Sequence, residues 1–126
     1  MQAPATVLLV EDETLVCAYT TVLIEEEFGC RCEVAHNRDE ALRLLQDHAE
    51  KIAVVFTDVR MASENDGAEL ARIVDRRWPW IGILVTSSGA PPHASALPGK
   101  AKFVSKPWEA DEVERFIISR LGRAAR

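Results

Sequence analysis

Five residues of types suited to phosphate and metal chemistry each lie at the end of a short apolar run. Glu11 and Asp12 follow Thr6–Val10, Asp58 follows Ile52–Thr57, Thr86 ends Ile81–Thr86, and Lys106 follows Ala101–Ser105. Together they supply three carboxylates, a hydroxyl and an ammonium. Two carboxylates about 4 Å apart repel by about 4 kcal/mol at an effective dielectric near 20, so such a cluster needs cations. Lys106 brings one charge, and a divalent hard cation would bring two more. An all-oxygen site suits Mg2+, which takes few protein carboxylates and keeps several waters; Mn2+ is the substitute. Open coordination positions can take phosphate oxygens, and phosphoryl transfer is catalysed mainly by positioning and charge neutralisation. Asp58 could then act as a nucleophile and form an acyl phosphate. Taken singly, each residue has a plainer role. Glu11 and Asp12 could cap the helix after them, Asp58 could be a loop acid, Thr86 a structural hydroxyl and Lys106 a solvated lysine. Their joint occurrence at successive strand ends carries the chemistry.

The elements that would position them are readable from hydrophobic pattern. Thr6–Val10, Arg31–Ala35, Ile52–Thr57, Ile81–Thr86 and Ala101–Ser105 read as strands, the third being the most hydrophobic. Leu15, Val16, Tyr19, Val22, Leu23 and Phe28 recur at helical spacing until Gly29. Asn37 with Glu40 forms an N-cap pair for a second helix running on to Ala49. Val59 to Asp66 reads as a loop, with a third helix over Ala68–Val74. Ser87 to Gly99 contains Pro91, Pro92 and Pro98, so only a stunted fourth helix is expected there. The last helix opens at Glu109, Asp111 and Glu112, ends near Arg120 and Arg123 as the helix dipole favours, and buries Val113, Phe116, Ile117 and Leu121. Strands alternating with helices predict an α/β fold: a five-stranded parallel sheet, doubly wound by right-handed crossovers into a three-layer sandwich, with a short or irregular fourth helix. Ligands of such a sheet bind outside the carboxyl ends of its strands, where all five candidates lie.

Length and composition narrow the classes. The 126 residues amount to about one domain at ~150 residues each, so 1–126 is expected to be a single domain. Apolar residues make up 48% and charged residues 28%, which excludes a disordered tail, a collagen and a disulfide-bonded miniprotein. Fifteen Lys+Arg against twenty Asp+Glu give a net charge of −5 with no basic run, a poor match for nucleic acid. Cys17, Cys30 and Cys32 read as free thiols of a reducing compartment. They have no zinc-ligand spacing with His36, His48 or His93. The chain opens without a signal-peptide pattern and has no run of ~18 apolar residues, so a cytoplasmic protein without membrane association is expected. Trp78, Trp80 and Trp108 read as packing or surface residues.

The motifs Leu9-Val10-Glu11-Asp12-Glu13, Phe56-Thr57-Asp58-Val59-Arg60-Met61, Leu84-Val85-Thr86-Ser87 and Val104-Ser105-Lys106-Pro107 resemble the receiver domain of bacterial two-component response regulators. The resemblance spans about Ala5 to Leu121. It implies a flavodoxin-like fold and a phosphoryl-accepting signalling switch. Asp58 would accept the phosphoryl group from a phosphohistidine, and the metal would be held by Asp12, Asp58 and the Arg60 backbone carbonyl, with Glu11 acting through water. Lys106 would pair with the phosphoryl group, Thr86 would be drawn towards it, and Phe103 would be the aromatic switch. Pro107 would follow a cis peptide bond. The implied partners are a histidine kinase or histidine phosphotransfer protein, and a downstream protein or an output domain outside this chain. Slow self-catalysed dephosphorylation is also implied, in a signalling protein as opposed to a metabolic enzyme. The chain departs from the family where Met61-Ala62 replaces Met-Pro, and in the proline-rich stretch before Gly99. The long cationic side chain of Arg60 is expected either to shield the phosphoryl group or to be simply solvated. Two other functions would leave different marks. A pseudo-receiver binding partners without phosphorylation would lack Asp58, an acid or Lys106. A flavodoxin-like cofactor binder would carry a phosphate-cradling loop where Glu11-Asp12-Glu13 stands.

Overall fold

The computed structural model describes residues 4–61, 66–89, 91–93 and 96–121. Its five strands are β1 (Thr6–Val10), β2 (Arg31–Ala35), β3 (Ile52–Asp58), β4 (Gly82–Ser87) and β5 (Lys102–Ser105). All pair in parallel, in the order β2-β1-β3-β4-β5. Four α-helices are described: α1 (Thr14–Val22), α2 (Arg38–His48), α3 (Asp66–Arg77) and α4 (Ala110–Arg120). The expected doubly wound sandwich is therefore present.

Side-chain alternation divides the core between the two faces of the sheet. Leu8, Val10, Val55, Ile83 and Val85 point to the face covered by α2 and α3, and meet Leu45, Leu70 and Val74. Val7, Leu9, Val54, Phe56 and Leu84 point to the other face, where they meet Cys17 and Ile24 from the first helical segment and Val113 and Ile117 of α4. With both faces covered, β1, β3 and β4 are buried at every position, hence their unbroken apolar sequences.

The ends of the elements have local causes. The Asn37 side chain accepts from the Glu40 amide at 2.9 Å, and the Glu40 carboxylate accepts from the His36 amide at 3.1 Å, closing the start of α2. After Val22 the first helix continues as a π-helical turn over Leu23–Glu27. Gly29 then takes a left-handed conformation (φ 66°) that turns the chain into β2. The fourth helix is expected to be short or irregular, and the described residues between β4 and β5 form no α-helix, in keeping with prolines that remove amide donors and clash with a helical backbone. Residues 90, 94 and 95 of that stretch, residues 62–65 of the loop after Asp58, and Arg123 lie outside the described residues.

Candidate functional site

The sheet register brings the candidate residues together. Asp58, the last residue of β3, lies opposite Thr86 of β4, and Ser87 lies opposite Ser105 of β5, one residue before Lys106. Val10 is paired with Thr57 and with Ala35, so Glu11 leaves the sheet beside Asp58. Main-chain bonds carry this pairing past the strand ends. The Val59 amide donates to the Thr86 carbonyl at 2.8 Å, the Lys106 amide to the Ser87 carbonyl at 2.9 Å, and the Glu11 amide to the Ala35 carbonyl at 3.0 Å.

At this edge the Lys106 ammonium joins both acids. Its Nζ donates to Asp58 Oδ2 at 2.7 Å and to Glu11 Oε1 at 3.3 Å. The other oxygen of each carboxylate accepts a backbone amide: Asp58 Oδ1 from Arg60 at 3.1 Å, and Glu11 Oε2 from Glu13 at 3.2 Å. The geometry leaves Asp58 oriented by two donors of different kinds. Glu11 is buried at 3% exposure, and that burial raises its carboxyl pKa above the usual value. The Glu13 amide and Lys106 pull it down, while the neighbouring Asp58 charge pushes it up again. For Lys106, burial works against the charged form, but the hydrogen bond and charge of Asp58, followed by those of Glu11, outweigh it and raise its pKa. One ammonium thus serves two carboxylates, and Glu11 remains less favourably charged than in water.

The third carboxylate behaves differently. Asp12 is exposed and does not line the small cavity formed by Glu11, Asp58, Thr86, Lys106 and Trp108, which has about 10 Å³ of free volume. No group of three or more His, Cys, Asp or Glu among the described residues is arranged to hold a metal ion. The hydroxyl of Thr86 is buried and has no hydrogen-bond partner among the described residues, an uncommon condition for a buried polar atom. It lines the same cavity. Phe103 is half-buried on the α2/α3 face, in register with Val85. The Lys106–Pro107 peptide is cis.

Three further residues lie at the site: Gly67, which the sequence reading does not name, Ser87, which it names only within a motif, and Trp108, which it reads as a packing or surface residue. Gly67 lets α3 approach the acceptor strand: a Cβ there would sit 1.8 Å from the Asp58 carbonyl oxygen, and the Gly67 amide donates to the Val59 carbonyl at 2.9 Å. A glycine in the first turn of a helix is the signal that could have revealed it. Ser87 is buried, and its hydroxyl accepts from the Arg60 guanidinium, so that side chain is not simply solvated. Trp108 lines the cavity with its ring 5.7 Å from that of Phe56. The larger cavity, about 770 Å³, lies at the opposite end of the sheet, lined by Thr6, Arg31, Ile52 and Trp80 among others. It contains none of the residues at the active edge.

The five-stranded parallel sheet thus presents a carboxylate, an ammonium and a buried hydroxyl together at one edge. The sequence model of the response regulator receiver domain matches residues 7–118. The chain belongs to this family. No curated protein matches the sequence. Solved structures are similar to it over nearly the whole of this chain. A response regulator receiver protein from Sinorhizobium medicae is 22% identical with a TM-score of 0.81, covering 93% of this chain and 97% of its own. A receiver domain from Clostridium thermocellum is 22% identical with a TM-score of 0.79, over 92% and 93%. NtrX from Brucella abortus is 24% identical with a TM-score of 0.74, and there the match covers 93% of this chain but 27% of that one.

Proposed function

We propose that the chain works as a phosphorylation switch, with Asp58 accepting a phosphoryl group from a phosphohistidine of a histidine kinase or histidine phosphotransfer protein. The observation that carries this is the convergence of Asp58, Lys106 and the unpartnered buried Thr86 hydroxyl at one sheet edge. An Asp58 carboxylate oxygen bonds to phosphorus while the bond from phosphorus to the imidazole nitrogen breaks, its electron pair staying on the ring. The Arg60 amide and the Lys106 ammonium orient the carboxylate for that attack. Lys106 then follows the charge from the carboxylate to the phosphoryl oxygens, and the Thr86 hydroxyl finds its missing acceptor there. Phe103, paired with the strand residue before Thr86, is the side chain proposed to turn as Thr86 moves.

The donor set suits a hard divalent cation. Two carboxylates share one ammonium, and Glu11 carries its charge against burial and against Asp58, so the edge is short of positive charge. Asp12, Asp58 and the Arg60 carbonyl would hold Mg2+, or Mn2+ in its place, with Glu11 reaching it through water. When bound, the cation neutralises charge on the phosphoryl oxygens. Slow hydrolysis of the acyl phosphate would reset the switch. The working unit is residues 1–126 as one receiver domain. Its output would be a downstream partner or a domain outside this chain, and its compartment the cytoplasm. No helix among the described residues is long and apolar enough to cross a membrane. Exposed Leu15, Tyr19 and Val22 lie on α1, whose Val16 and Thr20 line the same cavity as Asp58, and offer the partner an apolar surface.

Incubation with acetyl phosphate and Mg2+ followed by intact-protein mass measurement tests the proposal. The wild type gains the mass of one phosphate and Asp58→Asn does not. No gain in the wild type, or an equal gain in the variant, refutes it.

A further inference from the structure

The ligands of Ser87 point to a device in this chain that the phosphoacceptor chemistry does not require. Ser87 lies between the two residues that face the phosphoryl position. It follows Thr86 in the chain, and its carbonyl holds the Lys106 amide at 2.9 Å. Its hydroxyl accepts from the Arg60 guanidinium and from the Gly89 amide, the latter at 3.3 Å. The guanidinium lies over Gly89, where an added Cβ would come within 3.4 Å of Arg60 Nη1. Arg60 therefore ties the loop after β3 to the loop after β4. Its own backbone is fixed at the acceptor, because its amide donates to Asp58 Oδ1.

A neutral hydroxyl is a modest acceptor for a guanidinium. A phosphoryl group on Asp58 would be a much better one, because it is a dianion whose oxygens match the planar fork of arginine. The side chain could exchange one partner for the other by rotation about its own bonds, its main chain staying in place. We propose that Arg60 is a latch with two positions: bound to Ser87 in the unphosphorylated protein, and bound to the phosphoryl group once Asp58 is modified. The exchange releases the Ser87 hydroxyl and loosens the loop after β4, so phosphorylation is transmitted to that loop by a second route besides Thr86. In its second position the guanidinium covers the phosphorus against water. Hydrolysis, in which a water oxygen bonds to phosphorus while the Asp58 oxygen–phosphorus bond breaks and its electron pair returns to the carboxylate, is slowed.

The latch rests on the phosphoacceptor function of Asp58, and its test separates the two. Protein phosphorylated with acetyl phosphate and Mg2+ is desalted, and the decay of the phosphorylated mass is followed for wild type, Arg60→Ala, Ser87→Ala and the double variant. Arg60→Ala is expected to shorten the half-life roughly two- to fivefold, the size of a partly exposed charge contact. Ser87→Ala removes the competing partner, shifts the guanidinium towards the phosphoryl group and lengthens the half-life. In the Arg60→Ala background the serine substitution has no effect, the non-additivity expected of two groups in one exchange. Amide exchange at Gly89 is expected to rise on phosphorylation in the wild type and to be already high in unphosphorylated Arg60→Ala. Equal effects of Ser87→Ala with and without Arg60, or wild-type decay in Arg60→Ala, overturn the latch while leaving the phosphoacceptor intact. A wild type that takes up no phosphate overturns the function and the latch with it.

Discussion

At the residue scale, the acids at the active edge differ in what they cost. Glu11 lies buried against Lys106 with Asp58 nearby, and its folded-state pKa is raised, chiefly by burial. The contribution of such a group to stability is fully present below its unfolded value of 4.5 and is lost as pH rises through the folded value. The neutral isostere Glu11→Gln should therefore melt like wild type in acid and progressively higher than wild type towards neutral pH, when both are measured by thermal denaturation with a chelator present. The same substitution should slow phosphorylation from acetyl phosphate. A variant less stable than wild type at neutral pH would mean that the ion pair with Lys106 outweighs burial. Pairs of opposite effects on stability and on activity are what a site held ready for an absent positive charge produces.

At the scale of elements, the site depends on how closely α3 approaches β3. A Cβ on Gly67 would meet the backbone of Asp58 and Val59, which cannot swing aside as a flexible side chain could. Gly67→Ala is expected to destabilise the fold by about 1–3 kcal/mol, as overpacking does, and to lower phosphorylation of Asp58 in whatever fraction remains folded. Denaturant unfolding paired with a phosphorylation rate checks both parts. The start of α2 provides the contrast. Its Asn37 cap is a local arrangement with His36 and Glu40. Asn37→Ala should cost about 1 kcal/mol and leave the phosphorylation rate unchanged when measured on folded protein. A lowered rate in that variant would show that α2 is coupled to the active edge.

At the scale of the whole molecule, the two ends of the sheet are chemically separate. The acids, Thr86, Lys106 and Trp108 gather at one end. Trp80, whose indole donates to the Ala49 carbonyl at 3.3 Å, lies with Arg31 and Lys51 at the other. Trp108 should therefore be the tryptophan that senses the site. A change in emission on adding Mg2+ and acetyl phosphate is expected to disappear in Trp108→Phe and to persist in Trp80→Phe. Its loss in Trp80→Phe would mean that the distant end also responds. The charge of −5 acquires a local meaning in this frame, because part of it is the acid pair that one lysine serves.

Much of this was legible in the chain. The unbroken apolar runs ending in Glu11, Asp58, Thr86 and Lys106 placed the strands and their chemical ends, because burial on both faces and termination by polar residues are local properties. The prolines before Gly99 likewise pointed to a short or irregular helix there, and the described residues of that stretch form no α-helix. Tertiary structure decided what depends on distant segments meeting. Glu11 turns inward to Lys106 while Asp12 stays exposed, a choice between adjacent acids that composition does not make. Thr86 faces Asp58 because parallel register sets them opposite each other. Gly67 matters because a helix and a strand pass within a carbon atom's width, and Ser87 because a guanidinium reaches it from another loop. Hydrophobic pattern fixes which segments are strands and helices; register and close packing between segments far apart in sequence fix which side chains meet.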